Sequence, residues 1–230
     1  MDTKHKLSLF TAPPLTDPAP LLTDPAPYIR LIGQLIYLTN TRPNLAYSVH
    51  ILSQFMHQPT QDHLSATHKV LRYLKGAPAQ GFFYPSDQPL QLTTFCDADW
   101  GACPLTRKSV SAEAEYRTMA HACYEGLVVV RLLADLHVQV PTPVPLFCDN
   151  NAAMHIARNP IFHERTKHVE LDCHVVRQHV SAGFIQPHFV PTFDQPADLL
   201  TKALSADQLS HLCGKINVSN KLHMLSLRRV

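Results

Sequence analysis

The sequence predicts an α/β fold: a mixed sheet flanked by helices, preceded by a small helical segment. Three observations predict it. An apolar run from Leu90 ends in Phe95-Cys96-Asp97-Ala98-Asp99-Trp100, and it reads as a strand that stops on an acid. A second run, Pro145-Leu146-Phe147-Cys148, ends in the same way on Asp149-Asn150. Between the two runs and after them, apolar residues recur at helical spacing. Aspartates at the ends of buried strands are costly there unless they meet a cation or donors. Taken singly, each is read more simply as the cap of the turn or helix that follows. Taken together, they point to a divalent-metal site built from oxygen ligands.

In chain order, residues 1–27 are expected to form an unstructured, proline-rich leader. Leu15-Thr16-Asp17-Pro18-Ala19-Pro20 recurs as Leu22-Thr23-Asp24-Pro25-Ala26-Pro27, and so dense a proline run favours extended, solvated chain. Residues 28–80 are expected to hold three short helices. Ile29, Ile32, Leu35 and Ile36 share one face of the first, and Leu45, Val49, Leu52 and Met56 stripe the second after Pro43. Thr60 caps the third, which turns Leu64, Val70, Leu71 and Leu74 inward and ends at Gly76. Its His68, Lys69, Arg72 and Lys75 could hold phosphates or form an ordinary solvated basic face.

Residues 81–204 are expected to form the sheet-bearing domain. Gly81 to Tyr84 and Leu90 to Cys96 read as strands, and Ser111 to His137 as a helix carrying Glu115, Met119, Cys123, Leu127, Val130, Leu133 and Leu136 on its inner side. The strand into Asp149 and a short helix through Ile156 follow, then a helix from about Val169 to Val180 closed by Gly183. Phe184 to Val190 is a strand interrupted by Pro187, and Pro196-Ala197-Asp198-Leu199-Leu200 opens another helix. Residues 205–230 form a last helix and tail, with Ser205-Ala206-Asp207-Gln208 as its capping box.

Composition narrows the function. A net charge of +2 with no basic block does not announce a nucleic-acid binder by itself. No apolar run approaches the length of a membrane span, and Met1-Asp2-Thr3-Lys4-His5-Lys6 leads into no signal-like core. The six cysteines are scattered without a C-x-x-C pair, as expected of buried thiols in a reducing, intracellular setting, cytoplasm or nucleus. His163, His168, Cys173, His174 and His179 suggest zinc only superficially, because helical spacing spreads them around the axis. A serine nucleophile lacks its G-x-S-x-G turn, and the adjacent aspartates of a polymerase site are absent.

Several motifs in order carry a family resemblance. Tyr28-Ile29-Arg30-Leu31-Ile32-Gly33-Gln34-Leu35 with Thr41-Arg42-Pro43, then Leu52-Ser53-Gln54-Phe55-Met56 and Val70-Leu71-Arg72-Tyr73-Leu74-Lys75-Gly76, resemble the end of a copia-type retrotransposon reverse transcriptase. Asp97-Ala98-Asp99-Trp100, Ala114-Glu115-Tyr116, Cys148-Asp149-Asn150, Thr166-Lys167-His168-Val169-Glu170 and Ala197-Asp198-Leu199-Leu200-Thr201-Lys202 resemble that family's ribonuclease H domain. The resemblance implies a ribonuclease H-like sheet whose metal-binding, catalytic carboxylates are Asp97, Glu115, Asp149 and Asp198. It implies two Mg2+ ions, or Mn2+, and an RNA–DNA hybrid as partner, recognised by shape and 2′-hydroxyls. Lys69, Arg72, Lys75 and Lys167 are the candidate nucleic-acid contacts.

The chain also departs from that pattern. Asn44 stands where an aspartate follows Arg-Pro, and Val128-Val129-Val130 replaces a stretch that holds a tryptophan. Arg107-Lys108-Ser109-Val110 runs straight into Ser111-Ala112-Glu113, where the family has a pair of strands. The domain is therefore expected to lack two strands. Function stays open at this point between a hybrid ribonuclease, a catalytically inactive remnant that at most binds nucleic acid, and a protein-interaction module.

Overall fold

The structure, a computed structural model, describes residues 20–85, 89–97, 112–158 and 170–219, with backbone alone at 112–115, 156, 158 and 170–173. It falls into two compact units, one taking residues up to Pro85 and from Lys202 onward, the other Ser86–Thr201.

The first unit is built on helices α1 (Ala26–Leu38), α2 (Ala46–Ser53) and α3 (Gln61–Gly76). Tyr28, Ile32 and Leu35 are buried with Leu45, Val49, Leu52, Ala66 and Val70 in one apolar cluster. The buried stripe of α1 thus starts one residue earlier than its aliphatic pattern suggests, and Ile29 and Ile36 are exposed. The Tyr28 hydroxyl decides this rotation, because it donates to the Leu52 carbonyl at 2.8 Å and satisfies both groups inside the core. Thr60 caps α3 as expected, accepting from the His63 amide while His63 Nδ1 accepts from the Thr60 amide.

The end of the expected leader is a correction. Leu21 bridges to Thr60, Leu22 donates its amide to Pro59, Gln61 donates to Pro20, and Ala26 and Pro27 already belong to α1. Proline at the first helical turn has no amide to lose, so the dipeptide that breaks a helix interior opens this one. Residues 1–19 lie outside the described residues. A two-residue strand β1 (Gly81–Phe82) pairs antiparallel with another at Val218–Ser219, just after a C-terminal helix at Ala206–Lys215. That helix is capped by Ser205, whose hydroxyl accepts from the Gln208 amide.

The second unit is α/β. Strands β2 (Thr94–Cys96), β3 (Val144–Cys148) and β4 (Ile185–Phe189) form a parallel sheet in the order β2-β3-β4. Parallel neighbours need long crossovers. These are helix α4 (Ala112–Asp135) between β2 and β3, then α5 (Asn151–Arg158) and α6 (Glu170–Ser181) between β3 and β4. Gly183, at a φ of 68°, turns the chain out of α6 in a conformation that favours glycine.

Leu146, Cys148, Cys96 and Ile185 point from the sheet into a core closed by Tyr116, Met119, Ala120 and Cys123 of α4, with Ala153, Met154 and Val176. The opposite face carries a ladder of rings, Phe95 on Phe147 and Phe147 on His188, each with centroids 5.2 Å apart. Two expectations need correction. β2 is three residues long rather than seven, since only Thr94–Cys96 finds ladder partners on β3. Leu136 is exposed, because α4 ends at Asp135 and the backbone reverses at His137.

Candidate metal centre

The register of the sheet creates the site. Cys96 stands directly opposite Cys148 across two parallel strands, so the next residues, Asp97 and Asp149, leave the same end of the sheet side by side. β4 ends at the same level, with Phe189 opposite Cys148, and the Val190 amide donates to the Cys148 carbonyl. From there the chain turns through a single 3-10 turn at Thr192–Asp194 into helix α7 (Asp198–Thr201), which brings Asp198 back to the two strand ends. One carboxylate oxygen from each of Asp97, Asp149 and Asp198 lies within 4.8 Å of the others. Asp97 and Asp198 are buried and Asp149 is half-buried.

Three convergent carboxylates repel one another, and the surrounding donors offset part of that repulsion. Thr201 Oγ1 donates to Asp97 Oδ2 at 2.5 Å, and Thr192 Oγ1 donates to Asp149 Oδ2 at 3.0 Å. Next to Asp149, Asn150 caps α5, its Oδ1 accepting from the Ala153 amide at 3.1 Å. The cap of α5 is thus Asn150 rather than Asp149, and the Asp149 side chain is left to the cluster. Hard oxygen donors at this spacing are the set that a divalent ion such as Mg2+ takes, with water filling its other positions. The donor set therefore fits such an ion.

Of the expected site residues, Asp97, Asp149 and Asp198 come together. Glu115 lies in α4, and its side chain lies outside the described residues, as do Asp99 and Lys167. Lys69, Arg72 and Lys75 are all exposed on α3 in the first unit. Among the described residues the three aspartates are the one group of metal-ligating side chains brought together. His163, His168 and the Cys173 side chain lie outside those residues. Cys96, Cys123, Cys148 and Cys213 are buried thiols, and burial pushes the Cys123 thiol up to about 12. Thr192, Gln195 and Thr201 are the residues that sequence reasoning missed. Only the Asp198-Leu199-Leu200-Thr201 spacing, one turn of helix, carried a signal for any of them.

Comparison with known proteins places the chain among retroelements. It is 37% identical over 239 positions to the retrovirus-related Pol polyprotein from transposon RE1 of Arabidopsis thaliana, covering 93% of this chain. It is 38% identical over 243 positions to that from transposon RE2 of the same plant, covering 95%. A third, from transposon TNT 1-94 of Nicotiana tabacum, is 27% identical and covers 82%. The chain spans about a sixth of the length of each. The RE1 alignment, 239 positions for 93% of a 230-residue chain, includes roughly two dozen positions at which this chain has no residue. No family model matches the chain, and no solved structure does.

Proposed function

Since the chain belongs with the retrovirus-related Pol polyproteins of transposons, over about a sixth of their length, we propose that it is their reverse-transcriptase end joined to a ribonuclease H-like domain whose hydrolysis is lost or badly impaired. In this reading residues 28–80 are the helical end of the reverse transcriptase, and 81–204 are a truncated ribonuclease H-like domain followed by a helix and tail. The observation that carries it is the meeting of Asp97, Asp149 and Asp198, from two strand ends and a helix start, within 4.8 Å.

Asp97, Asp149 and Asp198, with Glu115 as the fourth ligand, would hold the divalent ions. Bound there, a pair of Mg2+ ions would activate water and stabilise the leaving oxygen in hydrolysis of the RNA strand of an RNA–DNA hybrid. The residues themselves supply oxygen ligands at fixed spacing, and the threonine hydroxyls orient two of them. Exposed Lys69, Arg72 and Lys75, with Lys167, are the proposed phosphate contacts, which position a duplex without reading its sequence.

Only 17 residues separate Asp97 from Glu115. Two more strands of a ribonuclease H-like sheet, with their turns and a loop into the helix, take about 25 to 30 residues. The 17 residues present fall short of that by roughly ten, and the chain also lacks roughly two dozen positions of RE1 over the matched stretch. Among the described residues β2 is an edge strand of three residues, and a sheet short of two strands would hold Asp97 and Glu115 less firmly. A misplacement of about 1 Å at a catalytic group can cost about two orders of magnitude in rate.

The experiment is magnesium-dependent cleavage of a labelled RNA–DNA hybrid by the purified chain, beside an Asp149→Asn variant. The expected result is little or no cleavage by either protein. Robust cleavage by the wild type that Asp149→Asn abolishes would overturn the impairment and leave the ribonuclease reading standing.

A further inference from the structure

The three aspartates need holding, and a single short segment does most of it. Gln195 is fully buried, and each polar end of its side chain is used. Its Nε2 donates to the Cys96 carbonyl at 2.9 Å, on the residue just before Asp97. Its Oε1 accepts from the Ala197 amide at 3.4 Å, on the residue just before Asp198. Its own carbonyl accepts from the Asp198 amide at 3.2 Å. One amide side chain thus ties the backbone ahead of one ligand to the backbone ahead of another, across 99 residues of sequence.

The same segment reaches the carboxylates themselves. Thr192 donates to Asp149 Oδ2, and Thr201, which α7 places one turn after Asp198, donates to Asp97 Oδ2. Each of these bonds occupies one oxygen of its carboxylate. A carboxylate held by one oxygen has lost its free rotation and presents the other in a set direction. The segment Thr192–Thr201 therefore brings one ligand, Asp198, and aims the remaining two.

We propose that Gln195 and Thr201 are positioning residues of this centre, setting the distance between the Asp97 and Asp198 carboxylates and the orientation in which the Asp97 carboxylate meets a divalent cation. The inference rests on the metal reading of the site. Neither residue ligates the ion; they act through the residues that do. Partners of metal ligands are typically worth about 10–100-fold in metal affinity, and that is the expected effect here.

The test is Mn2+ binding to the full chain, followed by calorimetry and by electron paramagnetic resonance of the free ion, for wild type and the variants Asp149→Asn, Gln195→Leu, Thr201→Val and Thr201→Ser. Melting each protein in a chelator reports separately on folding without metal. The expectation is that Gln195→Leu and Thr201→Val bind Mn2+ at least about 10-fold more weakly while folded. Thr201→Ser, which keeps the hydroxyl, stays near wild type. A merely structural role would lower the chelator melting temperature of both Thr201 variants without separating their affinities.

If Gln195→Leu does not fold, the Thr201 pair decides the matter alone. Wild-type binding that Asp149→Asn abolishes but Thr201→Val leaves unchanged would overturn the inference and keep the metal reading. Equal losses in Thr201→Val and Thr201→Ser would overturn it too. Failure of the wild type to bind Mn2+ would remove both.

Discussion

Replacing Asp149 by asparagine should stabilise the metal-free protein, although it removes a ligand. Oxygens of Asp97, Asp149 and Asp198 lie within 4.8 Å of one another. Two unit charges at about that distance repel by about 3.5 kcal/mol at an effective dielectric of about 20, and by about 0.9 kcal/mol in water. Asp149 is half-buried, so each of its two pairs lies between those limits, and the threonine donors and dissolved salt reduce both. A net gain of about 2 kcal/mol is a fair expectation for Asp149→Asn. Asparagine is nearly isosteric and its carbonyl oxygen can still accept from Thr192, so little packing is lost.

For a unit of this size that gain amounts to roughly 5–10 °C in melting temperature. The assay is thermal unfolding followed by circular dichroism in a chelator at low salt, then with excess Mg2+ or Mn2+. The wild type should rise on adding metal, because an ion that binds only the folded state stabilises it by mass action. The variant, already relieved of repulsion and short of a ligand, should rise much less. An Asp149→Asn protein that melts below the wild type in chelator would refute the reasoning, since it would mean that the three charges do not strain the folded state.

Three other predictions concern the rest of the chain. Arg42 Nε and Asn44 Oδ1 are buried polar atoms without a partner among the described residues, although Arg42 also donates to the Ala77 carbonyl and to Gln80, and Asn44 donates to the Tyr73 hydroxyl. Asn44→Asp places a carboxylate two residues from the buried Arg42 guanidinium, in the network that joins them through Tyr73 and Gln80, and should raise stability by about 1 kcal/mol in urea unfolding, a loss counting against it. His137 closes α4 with a φ of 61°, its amide donating to Ala134 and the next amide to Leu133. A left-handed cap favours glycine, so His137→Gly should gain about 1 kcal/mol, and an unchanged melting temperature would speak against strain there. Burial raises the Cys123 thiol from 9.0 to about 12. The unfolded chain therefore loses this proton first, and stability should fall by about 1.4 kcal/mol per pH unit above about pH 9, an effect that Cys123→Ala removes from a pH series of denaturation midpoints.

The parts legible in the sequence were those set by near neighbours. Thr60 and Ser205 cap their helices because the bonds they make reach only three residues. The two strand-end acids were visible as apolar runs that stop on aspartate, and parallel register then brought them together. The parts that escaped depend on contacts distant in sequence. Tyr28 rotates α1 away from Ile29 and Ile36 by bonding a carbonyl 24 residues on, which no local aliphatic pattern encodes. Leu21 and Leu22 are drawn out of the expected leader by Pro59 and Thr60. Gln195 and Thr201 meet their partners across 99 and 104 residues, and beyond the one-turn spacing of Thr201 from Asp198 nothing local marks either of them.

The most direct test of the central claim is the affinity of the full chain for Mn2+ at neutral pH, measured by calorimetry for the wild type and for Asp97→Asn, Asp149→Asn and Asp198→Asn. The account predicts saturable binding by the wild type that each of the three substitutions weakens by about tenfold or more, since each removes one of few protein ligands. Binding unchanged by all three, or no binding by the wild type, would contradict it.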